Sequence, residues 1–113
     1  MSERSLLLVL STPLPGREAE FDHWYDHTHI PQVSALPGWT SARRLRLHPA
    51  RLSDQLPPSP YRCLTVWDID GDPAAAFTAH DEALAAGRLD LTTAVDPSGV
   101  AAWTFQPLPG ATR

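Results

Sequence analysis

From position 21 the chain reads Phe-Asp-His-Trp-Tyr-Asp-His-Thr-His-Ile-Pro, which places three histidines and two aspartates within eight positions. Imidazole is the side chain that changes charge nearest neutral pH. A carboxylate beside it fixes its tautomer, which is the usual arrangement for a general base. Residues set about 100° apart around a helix sort this run into faces. Phe21, Trp24, Tyr25 and Thr28 share the inner face. His29 lies at its edge beside Tyr25, and Asp22 and Asp26 lie just beyond. His23 and His27 point the opposite way. The expected reacting group is therefore His29. Asp26, at i−3, would orient it, and Tyr25 would donate a hydrogen bond. The competing reading gives His29 only the closing of the helix before Pro31, where a histidine favours the C-terminal dipole. His23 and His27 have the i, i+4 spacing of zinc ligands. They lack the Glu of an HExxH pair and face outward, so a solvated surface is expected and no metal.

His80 and Arg43 are further candidates. His80 falls between Phe77 and Leu84 on the inner face of a second helix, where it would pack in the core or share a cavity with His29. Arg43 alternates with Leu45 and Leu47. On the helix-covered face of a sheet it would be a buried cation needing an acid or an anionic ligand. On the other face it would belong to an interface. Trp24, Phe21 and Trp67 belong to an aromatic set that packs the core and can also line an apolar pocket.

Positioning these groups requires the following elements. Leu6 to Leu10 is a continuous apolar run, as in a strand buried on both faces, and Pro13, Pro15 and Gly16 break it. A helix is expected from Arg17, ending or kinking near His29 because Pro31 cannot continue it normally. A short turn over 31–36 then stops at Pro37-Gly38. Trp39 to His48 reads as a strand, with Trp39, Ser41, Arg43, Leu45 and Leu47 on one face. A Pro-rich loop covers 49–60, and Tyr61 to Ile69 alternates as a third strand. Asp72 and Pro73 open a second helix that Gly87 closes. The stretch 89–98 is ambiguous. Val100 to Gln106 is a fourth strand, and 107–113 is a tail. The order βαββαβ predicts one α+β domain over residues 1–113: a ferredoxin-like protomer whose antiparallel four-stranded sheet carries two helices on one face. The bare face has apolar side chains, and a second copy of the chain is the simplest cover, giving a homodimer.

Composition removes several function classes. The chain has 113 residues, 42% of them hydrophobic, and a net charge of −4. No broad basic face exists, which argues against a nucleic-acid partner. All nine basic residues are Arg, so a Schiff-base lysine is excluded. The single Cys63 rules out an internal disulfide and fits a reducing, cytoplasmic setting. The Leu6–Leu10 run after Arg4 is too short for a secretory core, and no apolar run approaches a membrane span. No Gly-rich phosphate loop, Cys-pair site or nucleophile elbow appears.

The pattern Phe21-x-x-Trp24-Tyr25-x-x-x-His29-Ile30-Pro31, then Pro37-Gly38-Trp39 and Ala42-Arg43-Arg44, resembles the EthD-like branch of the dimeric α/β-barrel superfamily. The resemblance is specific over about residues 18–47 and topological elsewhere. It implies ferredoxin-like protomers, dimers whose sheets form a barrel, and a pocket between sheet and helices in each protomer. That superfamily includes cofactor-free monooxygenases, polyketide cyclases, dehydratases, decarboxylases and haem-degrading enzymes. His29 matches the motif histidine, whereas His23 and His27 depart from the pattern. The resulting expectation is a cofactor-independent enzyme acting on an apolar, polyketide-like or aromatic molecule by acid–base chemistry. A non-catalytic module for small hydrophobic ligands and a haem-binding protein are the alternatives.

Overall fold

The computed structural model describes residues 4–110. Its strands are β1 (Arg4–Ser11), β2 (Trp39–Arg46), β3 (Cys63–Asp70) and β4 (Ala101–Phe105). They form one sheet in the order β2-β3-β1-β4, with every pairing antiparallel. The helices are α1 (Glu18–Trp24), α2 (Ile30–Ser34) and α3 (Pro73–Ala85). A π-helical turn, Tyr25–His29, joins α1 to α2 without leaving helical backbone angles, so one unbroken helical segment connects β1 to β2. The result is the ferredoxin-like α+β fold, βαββαβ. Among the described residues no helix is long and apolar enough to cross a membrane.

The helix does not end at His29. Pro31 has no N–H to give the carbonyl four residues back, and its ring would crowd that carbonyl. The chain meets this demand by widening the preceding turn, with the Ile30 N–H donating to the Tyr25 carbonyl in an i→i+5 bond. Helix α3 starts as its punctuation predicts: Asp72 Oδ1 accepts from the Ala74 N–H at 3.1 Å, and Pro73 takes the first turn. Its buried contacts are the small Ala76 and Ala83, which let the helix lie close to the sheet. Gly38, at φ +89°, permits the tightest approach, since a Cβ there would meet the Ala76 Cβ at 3.0 Å.

The sheet is two-faced. Thr65, Trp67 and Ile69 of β3 are buried beneath the helices with Val33, Trp39, Ala76, Ala83 and Leu89. A second cluster, Phe21, Tyr25 and Ala94, lies beside the first, and the irregular stretch 89–98 folds over it. On the other face Leu6, Leu45, Trp103 and Phe105 are all exposed. Strand alternation predicts this split except in β2. There the pairing passes from Trp39↔Ile69 to Ser41↔Asp68, so Thr40 is an extra residue in a β-bulge. The bulge moves Trp39 onto the helix-covered face with Ala42 and Arg44. It leaves Ser41, Arg43 and Leu45 on the open one, where unbroken alternation had grouped all four of Trp39, Ser41, Arg43 and Leu45.

Candidate functional site

The π-turn determines what surrounds His29. On a regular helix, residues five apart point well away from each other; an i→i+5 turn brings them to one side. Trp24 and His29 accordingly stack, with ring centroids 4.4 Å apart and planes at 19°. Tyr25 meets the imidazole edge-on at 5.1 Å, and Trp67 does so from the sheet at 6.2 Å. Trp24 is itself pinned, since its indole N–H donates to the Asp90 carbonyl at 2.8 Å. Trp39 stands perpendicular to Trp67 at 5.2 Å and donates to the Ala76 carbonyl. His29 therefore sits in a nest of three aromatic rings, fixed by two helices and the sheet.

Two features make this histidine unlike an ordinary one. Its Nδ1 is buried with no hydrogen-bond partner. Burial in the aromatic nest, aided by the nearby His80 charge, pushes its pKa down from 6.5 to about 4. The imidazole is thus neutral throughout the physiological range. Tyr25 is affected in the opposite sense: burial raises its phenol pKa, opposed by the Thr65 hydroxyl and the Arg44 charge, so it stays a proton donor. His80 reaches the same seam from α3, 5.8 Å from Trp39, with its Nδ1 3.2 Å from Asp81 Oδ1.

Asp26 does not orient His29. It is half exposed, and its Oδ1 accepts from Arg44 Nη1 at 3.1 Å. Arg44 also donates to Asp22 Oδ1 at 2.7 Å, and its guanidinium lies over the Tyr25 and Phe21 rings at 4.7 and 5.6 Å. The bulge in β2 supplies this partner by turning Arg44 under the helix, so the aspartates face a strand cation and His29 faces rings. Arg43 goes to the open face, paired across from Val66, and does not join the His29 group. Of the sequence-selected residues, Phe21, Trp24, Tyr25, His29, Trp67 and His80 come together. Asp26 stands at the rim beyond Arg44, and Arg43 stands apart. Arg44 and Asp22 were not singled out as site residues; the only hint was the Arg43-Arg44 pair, which must put one cation on each face of a strand.

His23 and His27 lie outside the nest, their rings 4.5 Å apart on the exposed side of the helix. Among the described residues no group of three His, Cys, Asp or Glu side chains is placed to hold a metal ion. A cavity of about 550 Å³ opens at one end of the helix–sheet sandwich, lined by Asp22, Arg46, Arg62 and Cys63 among others. A groove of about 230 Å³ continues from it past Asp26 and Arg44. Burial raises the Cys63 thiol above its ordinary pKa, so it is no activated nucleophile.

A helix-covered antiparallel sheet with an aromatic nest under its first helical segment defines a ferredoxin-like α+β fold. No protein-family model matches the chain, and no curated protein matches it. Among solved structures, the crystal structure of an ethyl tert-butyl ether D (EthD) family protein from Bacillus halodurans C-125 superposes with a TM-score of 0.60. The match covers 94% of this chain and 99% of that one at 18% identity. The chain thus has an EthD-like fold.

Proposed function

We propose that this protein is a small cofactor-independent enzyme that moves protons on an apolar, aromatic or polyketide-like molecule, in a cyclisation, dehydration or oxygenation of the kind used in secondary metabolism. The observation that carries the reading is His29: a neutral imidazole with an unpartnered buried Nδ1 in an aromatic nest. A packed core gains nothing from such a group, since a buried polar atom without a partner costs about 1–3 kcal/mol. A substrate group that hydrogen-bonds Nδ1 recovers that cost.

The low pKa limits the chemistry. A base whose conjugate acid has a pKa of about 4 takes protons only from acidified positions, such as a phenol or the carbon between two carbonyls. Proton transfer to Nδ1 leaves an oxyanion beside an imidazolium, and that pairing raises the histidine pKa while the pair persists. The imidazolium then returns its proton to another atom of the same substrate. Tyr25, held protonated, hydrogen-bonds the oxyanion, and Trp24, Phe21 and Trp67 supply apolar walls. In this reading the protein acts as a cytoplasmic homodimer, with the open sheet face of Leu6, Leu45, Trp103 and Phe105 covered by a second copy and no nucleic acid involved.

The reading is tested by titrating the protein with hydroxylated polycyclic aromatics and following histidine ring signals by NMR. His29 signals should move and His23 signals should stay. With a substrate identified, His29→Ala should lower turnover by about 10²–10⁴-fold with the fold intact. Movement at His23 with none at His29 would place the site elsewhere and end the proposal. A binding module without catalysis is the second reading, favoured by the close stacking of Trp24 on His29; it predicts the same NMR shifts and no turnover. Haem binding, the third, would show on haem addition as a Soret band shifted and sharpened relative to free haem.

A further inference from the structure

We infer that the cavity at the β2–β3 end of the helix–sheet sandwich anchors a carboxylate of the substrate, which is then a hydroxyaryl acid and not a neutral ring compound; this rests on the reading of His29 as the reacting base. The cavity has about 550 Å³ of space, enough for one or two fused rings and their substituents. Two guanidinium groups line it without a strong partner. Arg62 is exposed and makes no ion pair or side-chain hydrogen bond among the described residues. Arg46 stands 3.9 Å from Asp22, whose carboxylate is already held by Arg44 at 2.7 Å. A planar guanidinium matches a carboxylate with two parallel N–H donors, so a pair of under-used arginines at a cavity wall selects that group. Glu18 lines the same space and has no ion-pair partner among the described residues. It is exposed and only accepts hydrogen bonds, so a ligand hydroxyl within reach can replace its water.

The cavity leads toward the side of Arg44 that faces away from the nest, and the buried Tyr25 ring stands between that arginine and His29. The cavity shares Asp22, Arg46 and Cys63 with the narrower groove that runs past Asp26 and Arg44. Arg44 lies across the Tyr25 ring, and the edge of Tyr25 meets His29. An acid held by Arg46 and Arg62 therefore points its ring system at the Arg44 contact, with the aromatic nest behind it. A further cavity with an arginine, lined by Leu6, Arg43 and Asp68 among others, opens on the bare sheet face, away from the helices.

The test uses 3-hydroxy-2-naphthoate as probe and 2-naphthol as the matched compound without a carboxylate. Binding is measured by tryptophan fluorescence and calorimetry on the full chain and on an Arg46→Gln/Arg62→Gln variant. Both arginines are exposed, so the variant folds. The expected result is that the acid binds the parent more tightly than 2-naphthol, and that the variant loses about tenfold or more for the acid. The variant should bind 2-naphthol as the parent does. Equal affinity of parent and variant for the acid, or no preference for the acid over 2-naphthol, overturns the inference; so does the absence of acid binding at millimolar concentration. The His29 ring signals separate this failure from failure of the functional reading. Arginine-dependent binding with a silent His29 keeps the anchoring site and removes the base. His29 shifts with either probe but no dependence on the arginines keep the base and remove the anchor.

Discussion

Two clusters of titratable groups lie within two turns of the same helical segment, and they are treated in opposite ways. At the rim, Asp22 and Asp26 share Arg44, so each carboxylate has a cationic partner and access to water. In the nest, His29 has three rings and no partner, so it stays neutral. The difference shows that neighbours in sequence do not decide ionisation. The π-turn and the β-bulge decide it, one by turning the imidazole to the indole and the other by turning a cation to the carboxylates.

The largest expected effect comes from acid. Unfolded His29 titrates near its ordinary 6.5 and folded His29 near 4, so between these values the unfolded chain binds a proton that the folded one refuses. Stability is full above 6.5, falls as pH drops from 6.5 to 4, and is constant in this respect below 4. The loss approaches about 3 kcal/mol. Glu20, lowered by its bond to Arg17, and Asp96, lowered by the Ser98 backbone, add acid-side losses of their own. The informative quantity is therefore the difference between the parent and His29→Gln in chemical denaturation from pH 7 to 4. Parallel curves would mean that the nest does not hold its histidine neutral.

Next in size is Arg44→Ala. It leaves two carboxylates facing one another and strips a cation from the Tyr25 and Phe21 rings. Because the guanidinium is only 19% exposed, the cost lies between surface and buried ion pairs, about 2 kcal/mol. Arg88→Ala, at an exposed position after α3 with no ion pair among the described residues, is the matched control. Equal melting temperatures for the two variants would mean that the rim pairing is worthless.

Smaller still is Gly38→Ala. The new methyl would need to displace Ala76, against which it stands at 3.0 Å, and the backbone angle of +89° disfavours a side chain. A loss of about 1–2 kcal/mol is expected, read from the denaturation midpoint. An unchanged midpoint would show that α3 can slide on the sheet, and with it His80 relative to His29.

How much of this was legible follows from what each signal encodes. The Leu6–Leu10 run, the Asp72-Pro73 start of α3 and the alternation of β3 are local patterns, and they give the strand and helix order directly. Phe21 and Tyr25 obey the helical period until the π-turn begins. The turn itself is a response to Pro31: the sequence signals a disturbance there, but a kink, a stop and a widened turn all satisfy the same proline. The bulge at Thr40 leaves no mark, because Trp39-Thr40-Ser41-Ala42 alternates equally well with or without an extra residue. The helical period therefore sets His29 beside Tyr25, matching their 5.1 Å ring contact, whereas Asp26 meets Arg44. The helix wheel places Asp26 near His29, but only the strand register reveals that Arg44 competes for it.

The smallest effect bears most directly on that competition. If Asp26 were the orienting acid of His29, Asp26→Asn would cost most of the catalytic gain, as removal of an orienting carboxylate does. It would also shift the histidine pKa. In the observed arrangement Asp26 is half exposed and makes one 3.1 Å bond to an arginine that keeps its shorter bond to Asp22. An exposed pair of that kind contributes about 0.5 kcal/mol. Asp26→Asn should therefore lower stability by about that amount, leave the His29 titration near 4, and change turnover less than threefold once a substrate is available. His29 titration is followed by its ring proton shifts between pH 3 and 8, with His23 as the exposed reference in the same spectrum. A shift of the His29 midpoint by a full unit in Asp26→Asn would reconnect the two clusters and restore the carboxylate–imidazole pair. An unmoved midpoint with a lowered Arg44-dependent stability would fix the boundary between them at the Tyr25 ring.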